Sequence, residues 1–126
     1  MKKIINTSKS PAPIGPYNQA ILRDNMLFIS GQIALDPISM KLNNNSIENE
    51  TNQVMMNLKY ILEEANMDFS NVVKTTIFLS DMDLFEKVNN IYGKYIIKGN
   101  EPARETIAVR TLPMSVNVEI SMIAIL

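Results

Sequence analysis

The chain contains neither Cys nor His. That removes thiol nucleophiles, imidazole bases, disulfides, the usual zinc sites and every His-containing triad. An enzyme built from what remains must bind with Arg or Lys and move protons with carboxylates, hydroxyls or backbone groups. Arg104 follows Pro102-Ala103 at the start of a predicted strand. A guanidinium there offers two parallel N–H donors that match a carboxylate, and it stays charged when buried. The alternative is a surface Arg in an ion pair, for example with Glu101. Glu119 stands mid-strand between Val118 and Ile120. In a polar pocket, desolvation would raise its pKa and suit it to holding a water or exchanging a proton; on a solvated strand face it would do neither.

Three further positions could serve such a pair. Ser30-Gly31-Gln32 follows an apolar strand, where Gly31 either admits a ligand or another backbone, or marks a plain bulge. Tyr17 comes directly after Gly15-Pro16 and is either a pocket phenol or a core aromatic with a wet tip. Asn89 lies off the apolar stripe of the second predicted helix, where it reaches a ligand, caps a loop or is simply solvated.

Composition narrows the partners. The length of 126 residues fits one domain spanning 1–126, and 46% apolar residues suffice for a core. The net charge of −1 and the scattered Lys and Arg give no basic patch for nucleic acid. No apolar run approaches the ~20 residues of a membrane span. The apolar stretch after Lys2-Lys3 ends at Ile5, too short for the core of a signal peptide, so a cytoplasmic protein is expected.

These residues need elements to carry them. Residues 2–5 suit a first short strand, and Pro11, Pro13, Gly15 and Pro16 fix the path of a loop. Residues 17–22 and 26–33 flank Arg23-Asp24-Asn25 as a hairpin. Val54, Leu58, Ile61, Leu62 and Ala65 form one helical stripe, with Asn45 or Ser46 as its cap and Asn66 left-handed beyond its end. Residues 72–79 read as a strand. Asp81 or Asp83 then caps a second helix with Phe85, Val88, Tyr92 and Tyr95 inward and Gly93 inside it. Residues 104–110 alternate Arg104, Thr106 and Ala108 against Glu105, Ile107 and Val109. In residues 116–126, Val118, Ile120, Met122 and Ala124 share one face, opposite Asn117, Glu119, Ser121, Ile123 and Ile125. Two helices cover only one face of such a sheet, so the apolar remainder points to a homo-oligomer.

Ala12-Pro13-Ile14-Gly15-Pro16-Tyr17-Asn18-Gln19-Ala20 resembles the opening motif of the Rid (reactive intermediate deaminase, or YjgF) family. Phe28-Ile29-Ser30-Gly31-Gln32-Ile33 resembles its second block, Thr76 to Leu79 with Asp81-Met82, Phe85 and Val88-Asn89 its third, and Pro102-Ala103-Arg104 through Leu112-Pro113 to Val118-Glu119-Ile120 its C-terminal signature. The match runs from about residue 7 to residue 125. Two positions depart from the usual pattern: Glu105 stands where a small residue is normal, and Thr106 where many members carry Cys. In a strand Glu105 should point away from Arg104.

The resemblance implies an α+β, chorismate-mutase-like fold, a mixed sheet with two helices on one face. It also implies a homotrimeric barrel with clefts between subunits. Its implied activity is cofactor-free and metal-free hydrolysis of 2-iminobutanoate and 2-iminopropanoate, or their enamines, to 2-keto acids and ammonia. Arg104 would bind the substrate carboxylate and Glu119 help place the water, with Tyr17, Ser30, Gly31, Asn89 and Thr106 lining the cleft. Two other readings compete. One is an RNA-directed endoribonuclease or translation inhibitor, which the absence of His and the acidic pI of 5.4 disfavour. The other is a non-catalytic module that binds small ligands in the same clefts.

Overall fold

Hydrophobic alternation and two amphipathic helices produce a six-stranded sheet with helices on one side. The computed structural model describes residues 1–126. The strands are β1 (Lys2–Ile5), β2 (Ala20–Arg23), β3 (Met26–Gln32), β4 (Val72–Leu79), β5 (Ala103–Ala108) and β6 (Val118–Ile125); the helices are α1 (Ile47–Glu64) and α2 (Phe85–Tyr92). The sheet order is β1-β2-β3-β6-β4-β5. Only β4 and β5 run parallel; the other neighbours are antiparallel. The architecture is the expected α+β mixed sheet.

α1 starts at Ser46, whose hydroxyl accepts from the Asn49 N–H, and Asn66 beyond its end is left-handed (φ 58°). Its stripe of Val54, Leu58, Ile61 and Leu62 is fully buried against Leu27, Ile77, Leu79, Val118 and Ile120. Each such side chain contributes about 1.5–3 kcal/mol on removal from water.

Several boundaries differ from the sequence reading. β2 begins at Ala20 because Tyr17 N–H turns back to the Gly15 carbonyl, which keeps residues 17–19 in the loop. Arg23 pairs with Met26, so the turn is only Asp24-Asn25, with Asp24 left-handed. α2 stops at Tyr92, and Gly93 closes the helix instead of lying inside it. Tyr95 therefore leaves the helical stripe and packs edge-on against Phe69. β5 ends at Ala108, where its partner β4 ends at Leu79. β6 begins at Val118 because the turn Pro113–Ser115, with Met114 and Ser115 both left-handed, occupies the preceding residues.

The face away from the helices carries Ile4, Phe28, Phe78, Ile107, Ile123 and Ile125, with Ile4 and Phe28 respectively 55% and 43% exposed. No helix is long and apolar enough to cross a membrane.

Candidate functional site

A cleft of about 410 Å³ opens beside the end of the uncovered face, walled by the Pro-rich loop, by Ser30, Gly31 and Gln32, and by Glu119 and Pro113. The loop owes its fixed path to one buried side chain. Gln19 accepts from the Thr7 N–H (2.8 Å) and its amide donates to the carbonyls of Thr7, Ser10 and Pro11 at 3.0, 3.2 and 2.9 Å. Ser10 in turn donates to the Asn57 carbonyl on α1 (2.6 Å). Tyr17, 45% exposed, lines the cleft with its hydroxyl accepting from the Ile14 N–H (3.2 Å). Ser30 donates to the Asn18 carbonyl at 2.6 Å.

The β3–β6 ladder shifts register between Ile29 and Gln32, so Ser30-Gly31 is a bulge. It is also a close approach: a Cβ on Gly31 would lie 2.8 Å from Glu119 Cδ. The bulge reading holds; the close approach is made by the Glu119 side chain and not by a backbone, and Gly31 is what lets the carboxyl group sit there. Glu119 is half-buried, takes no hydrogen bond from the protein, and burial pushes its pKa above the ordinary 4.5. Its position is set from outside the cleft. Glu50 of α1, fully buried, accepts from the Asn117 N–H (2.7 Å), the Asn117 amide (2.9 Å) and the Val118 N–H (3.1 Å). Asn117 also accepts from Ser80 at the end of β4, so three elements meet two residues before Glu119.

Arg104 lies elsewhere. In the ladders Arg104 pairs with Thr75 and Thr75 with Met122, whereas Glu119 pairs with Phe78 and Phe78 with Ile107. Thr75 and Met122 are buried under the helices. Arg104 and Glu119 of one chain therefore occupy opposite faces of the sheet. The guanidinium lies over two rings of α2, with Cζ 5.1 Å from the Tyr92 centroid and 5.6 Å from that of Phe85. It makes no ion pair; those present are Arg23–Asp24, Lys59–Glu63 and Lys74–Glu105. Glu101, the alternative partner from the sequence, instead accepts from the Gly99 N–H. Glu105 points to the far face as expected and binds Thr76 (2.7 Å) and Lys74 (2.9 Å), which hold its carboxyl below the usual range.

Beside Arg104, Asn89 Oδ1 and Thr106 Oγ1 are buried without any hydrogen-bond partner. Asn89 is thus not a solvated helix residue. Buried polar oxygens without a partner are costly and uncommon. The seven residues singled out in the sequence fall into two groups. Arg104, Thr106 and Asn89 gather under α2, and Tyr17, Ser30, Gly31 and Glu119 around the cleft. Gln19, Glu50, Phe85 and Tyr92 were not picked out as site residues. Gln19 and Phe85 were legible as motif residues without an assigned role, Tyr92 as a helical stripe position, and Glu50 only as a polar residue without a visible partner.

Fold and site together define an α+β protein with one helix-covered and one open sheet face, carrying an unpaired guanidinium on the first and a desolvated carboxyl on the second. The chain belongs to the Endoribonuclease L-PSP family, whose pattern matches residues 7–126, and its fold is that of the YjgF/Rid proteins. It is 49% identical over 125 residues to a RutC family protein of Synechocystis, covering 98% of this chain and 96% of that one. It is 44% identical over 125 residues to the human protein named 2-iminobutanoate/2-iminopropanoate deaminase, covering 99% and 90%. A putative endoribonuclease structure from Thermotoga maritima superposes with a TM-score of 0.96 at 44% identity, covering 100% and 98%. The E. coli YjgF structure gives 0.91 at 35% identity, covering 98% of both chains.

Proposed function

We propose that this chain hydrolyses 2-imino acids, 2-iminobutanoate and 2-iminopropanoate among them, to 2-keto acids and ammonium. It would do so as a homotrimer in which Arg104 of one protomer faces the Glu119 cleft of the next. The observation that carries this reading is the unpaired Arg104 guanidinium beside the orphaned oxygens of Asn89 and Thr106. A charged donor and two unsatisfied acceptors, gathered without a partner, suit a ligand with a carboxylate and a nearby N–H. Glu119 and Arg104 can act on one molecule only if two copies contribute, and the apolar open face gives copies a reason to associate. The relatives named as deaminases support the same chemistry.

In this reading Arg104 grips the substrate carboxylate through two N–H donors. Asn89 Oδ1 and Thr106 Oγ1 accept from the protonated imine. Glu119 holds a water and takes its proton as the water oxygen bonds to C2. Glu119 returns that proton to the nitrogen, the C–N bond breaks with its electron pair leaving on ammonia, and the C2 hydroxyl gives up its remaining proton through Glu119 to that ammonia, so that C2 becomes the keto carbon and ammonium is released. Alignment and electrostatics supply the acceleration, since the imine is already reactive.

The test couples the protein to threonine dehydratase and follows residual imine by semicarbazide trapping. Wild type should suppress the trapped product and Arg104→Ala should not, while remaining folded and assembled. Turnover by Arg104→Ala as fast as wild type would overturn the role of that residue.

A further inference from the structure

Arg104 is half-buried and fully charged, yet no carboxylate neutralises it. A guanidinium in that state normally recruits an acidic side chain. Its two nearest acidic neighbours in sequence are both engaged elsewhere, Glu101 with Gly99 and Glu105 with Lys74 and Thr76. The negative ring faces of Tyr92 and Phe85 stand in the place of a counter-ion. A ring over Cζ attracts the cation without using the N–H groups, which lie in the guanidinium plane and bind carboxylates edge-on.

Tyr92 is the better fixed of the two rings. It is 6% exposed, against 39% for Phe85, and burial pushes its phenol pKa up. Its hydroxyl donates to Thr75 Oγ1 at 3.0 Å, and Thr75 is the residue of β4 paired with Arg104 itself. The ring is thus tied from above by α2 and from below by β4, the neighbour of the strand that carries Arg104. We infer that Tyr92, backed by Phe85, is a positioning residue for Arg104: it holds the guanidinium aimed and unpaired, so that its N–H donors stay free for the carboxylate of the substrate. This rests on Arg104 being the carboxylate-binding group of the proposed reaction.

The test is a cycle of variants in the assembled protein, read by calorimetric binding of 2-oxobutanoate, a stable keto acid, and by the KM-against-kcat split. Tyr92→Leu should weaken keto-acid binding and raise KM by about five- to thirtyfold, with kcat changed less. Tyr92→Phe, which keeps the ring, should restore binding to within about threefold. In an Arg104→Ala background, Tyr92→Leu should cause no further loss. Phe85→Leu, at an exposed position, should act in the same direction and serves if Tyr92→Leu does not fold. The Arg104 Nε–Hε resonance should carry a ring-current shift that collapses in Tyr92→Leu.

Equal losses in both Arg104 backgrounds, wild-type binding by Tyr92→Leu and Phe85→Leu, or a Tyr92→Phe as impaired as Tyr92→Leu would overturn the inference. Should Arg104→Ala bind keto acid as wild type does, it is the reading of Arg104 that fails. The resonance then still decides separately whether Tyr92 holds the guanidinium.

Discussion

Gly31 offers the sharpest test of the cleft, because one methyl group there meets the proposed water-holding carboxyl first. The backbone would accept alanine, since Gly99 is the only glycine with positive φ. A Cβ at position 31 would sit 2.8 Å from Glu119 Cδ, 3.0 Å from its Oε2 and 3.1 Å from its Cγ. Carbon atoms rest at about 3.5–4.0 Å, so the carboxyl must retreat by roughly 1 Å. Glu119 is a flexible side chain and can move at the expense of an off-rotamer torsion, about 1 kcal/mol, at the low end of overpacking costs. Activity should suffer much more, since a displacement of that size at a reacting centre costs about a hundredfold. The expected outcome is a folded Gly31→Ala protein with a small loss in denaturant unfolding and a drop of about two orders of magnitude in kcat/KM for imine hydrolysis. The double variant Gly31→Ala/Glu119→Ala should recover the stability lost by Gly31→Ala, a coupling of about 1 kcal/mol, because the clash has no second party. Near-wild-type turnover by Gly31→Ala, or an undiminished stability loss in the Glu119→Ala background, would refute the reasoning.

Other perturbations test the remaining parts of the site. Desolvation raises the Glu119 pKa above 4.5 in the folded chain, so the folded state binds more protons and stability drains away as pH climbs through that interval. Glu119→Gln should therefore be more stable relative to wild type at pH 7 than at pH 4, read as the difference in Tm; a difference that does not change with pH contradicts the burial argument. Glu50→Ala removes the buried acceptor of three N–H groups at the start of β6 and should cost about 3 kcal/mol in denaturant unfolding at fixed protein concentration, with Glu50→Gln costing less. Co-refolding equal amounts of Arg104→Ala and Glu119→Ala, each inactive alone, should restore about a quarter of the wild-type activity if each site takes one residue from each of two copies; a mixture no more active than its parts excludes a shared site.

The helical core was readable because its signals are local. The stripe from Val54 to Leu62, the Ser46 cap and the left-handed Asn66 each depend on residues within a turn or two. The alternation in β5 and β6 likewise assigned faces within each strand. It did not relate one strand to the other, because β4 lies between them and two ladder registers decide that Arg104 aligns with Met122 and not with Glu119. The seven candidate residues came from the motif resemblance, which carried no sign of their division over two faces. Gln19 and Glu50 escaped for a related reason. Their partners lie up to 12 and 68 residues away, and a buried polar side chain is recognisable only once those partners are placed. α2 ran too long in the sequence because Tyr95 keeps its helical spacing although the chain has already left the helix at Gly93.

The sheet itself explains why Arg104 and Glu119 are divided. A strand places consecutive side chains on opposite faces, and only one face of this sheet is covered by helices. The covered face supplies aromatic rings, Phe85 and Tyr92, that can hold a cation without neutralising it. The open face supplies a carboxyl that takes no hydrogen bond from the protein and whose pKa burial raises. Placed side by side in one chain, Arg104 and Glu119 would pair, lowering that pKa and occupying the guanidinium. Separation by the thickness of the sheet prevents this, and meeting between two copies would admit a substrate before the charges can cancel. In the proposed trimer the apolar surface would both drive association and decide when the two groups face each other. Substitutions such as Phe28→Asp on the open face should therefore lower activity in proportion to the oligomer lost, leaving the fold of each protomer intact.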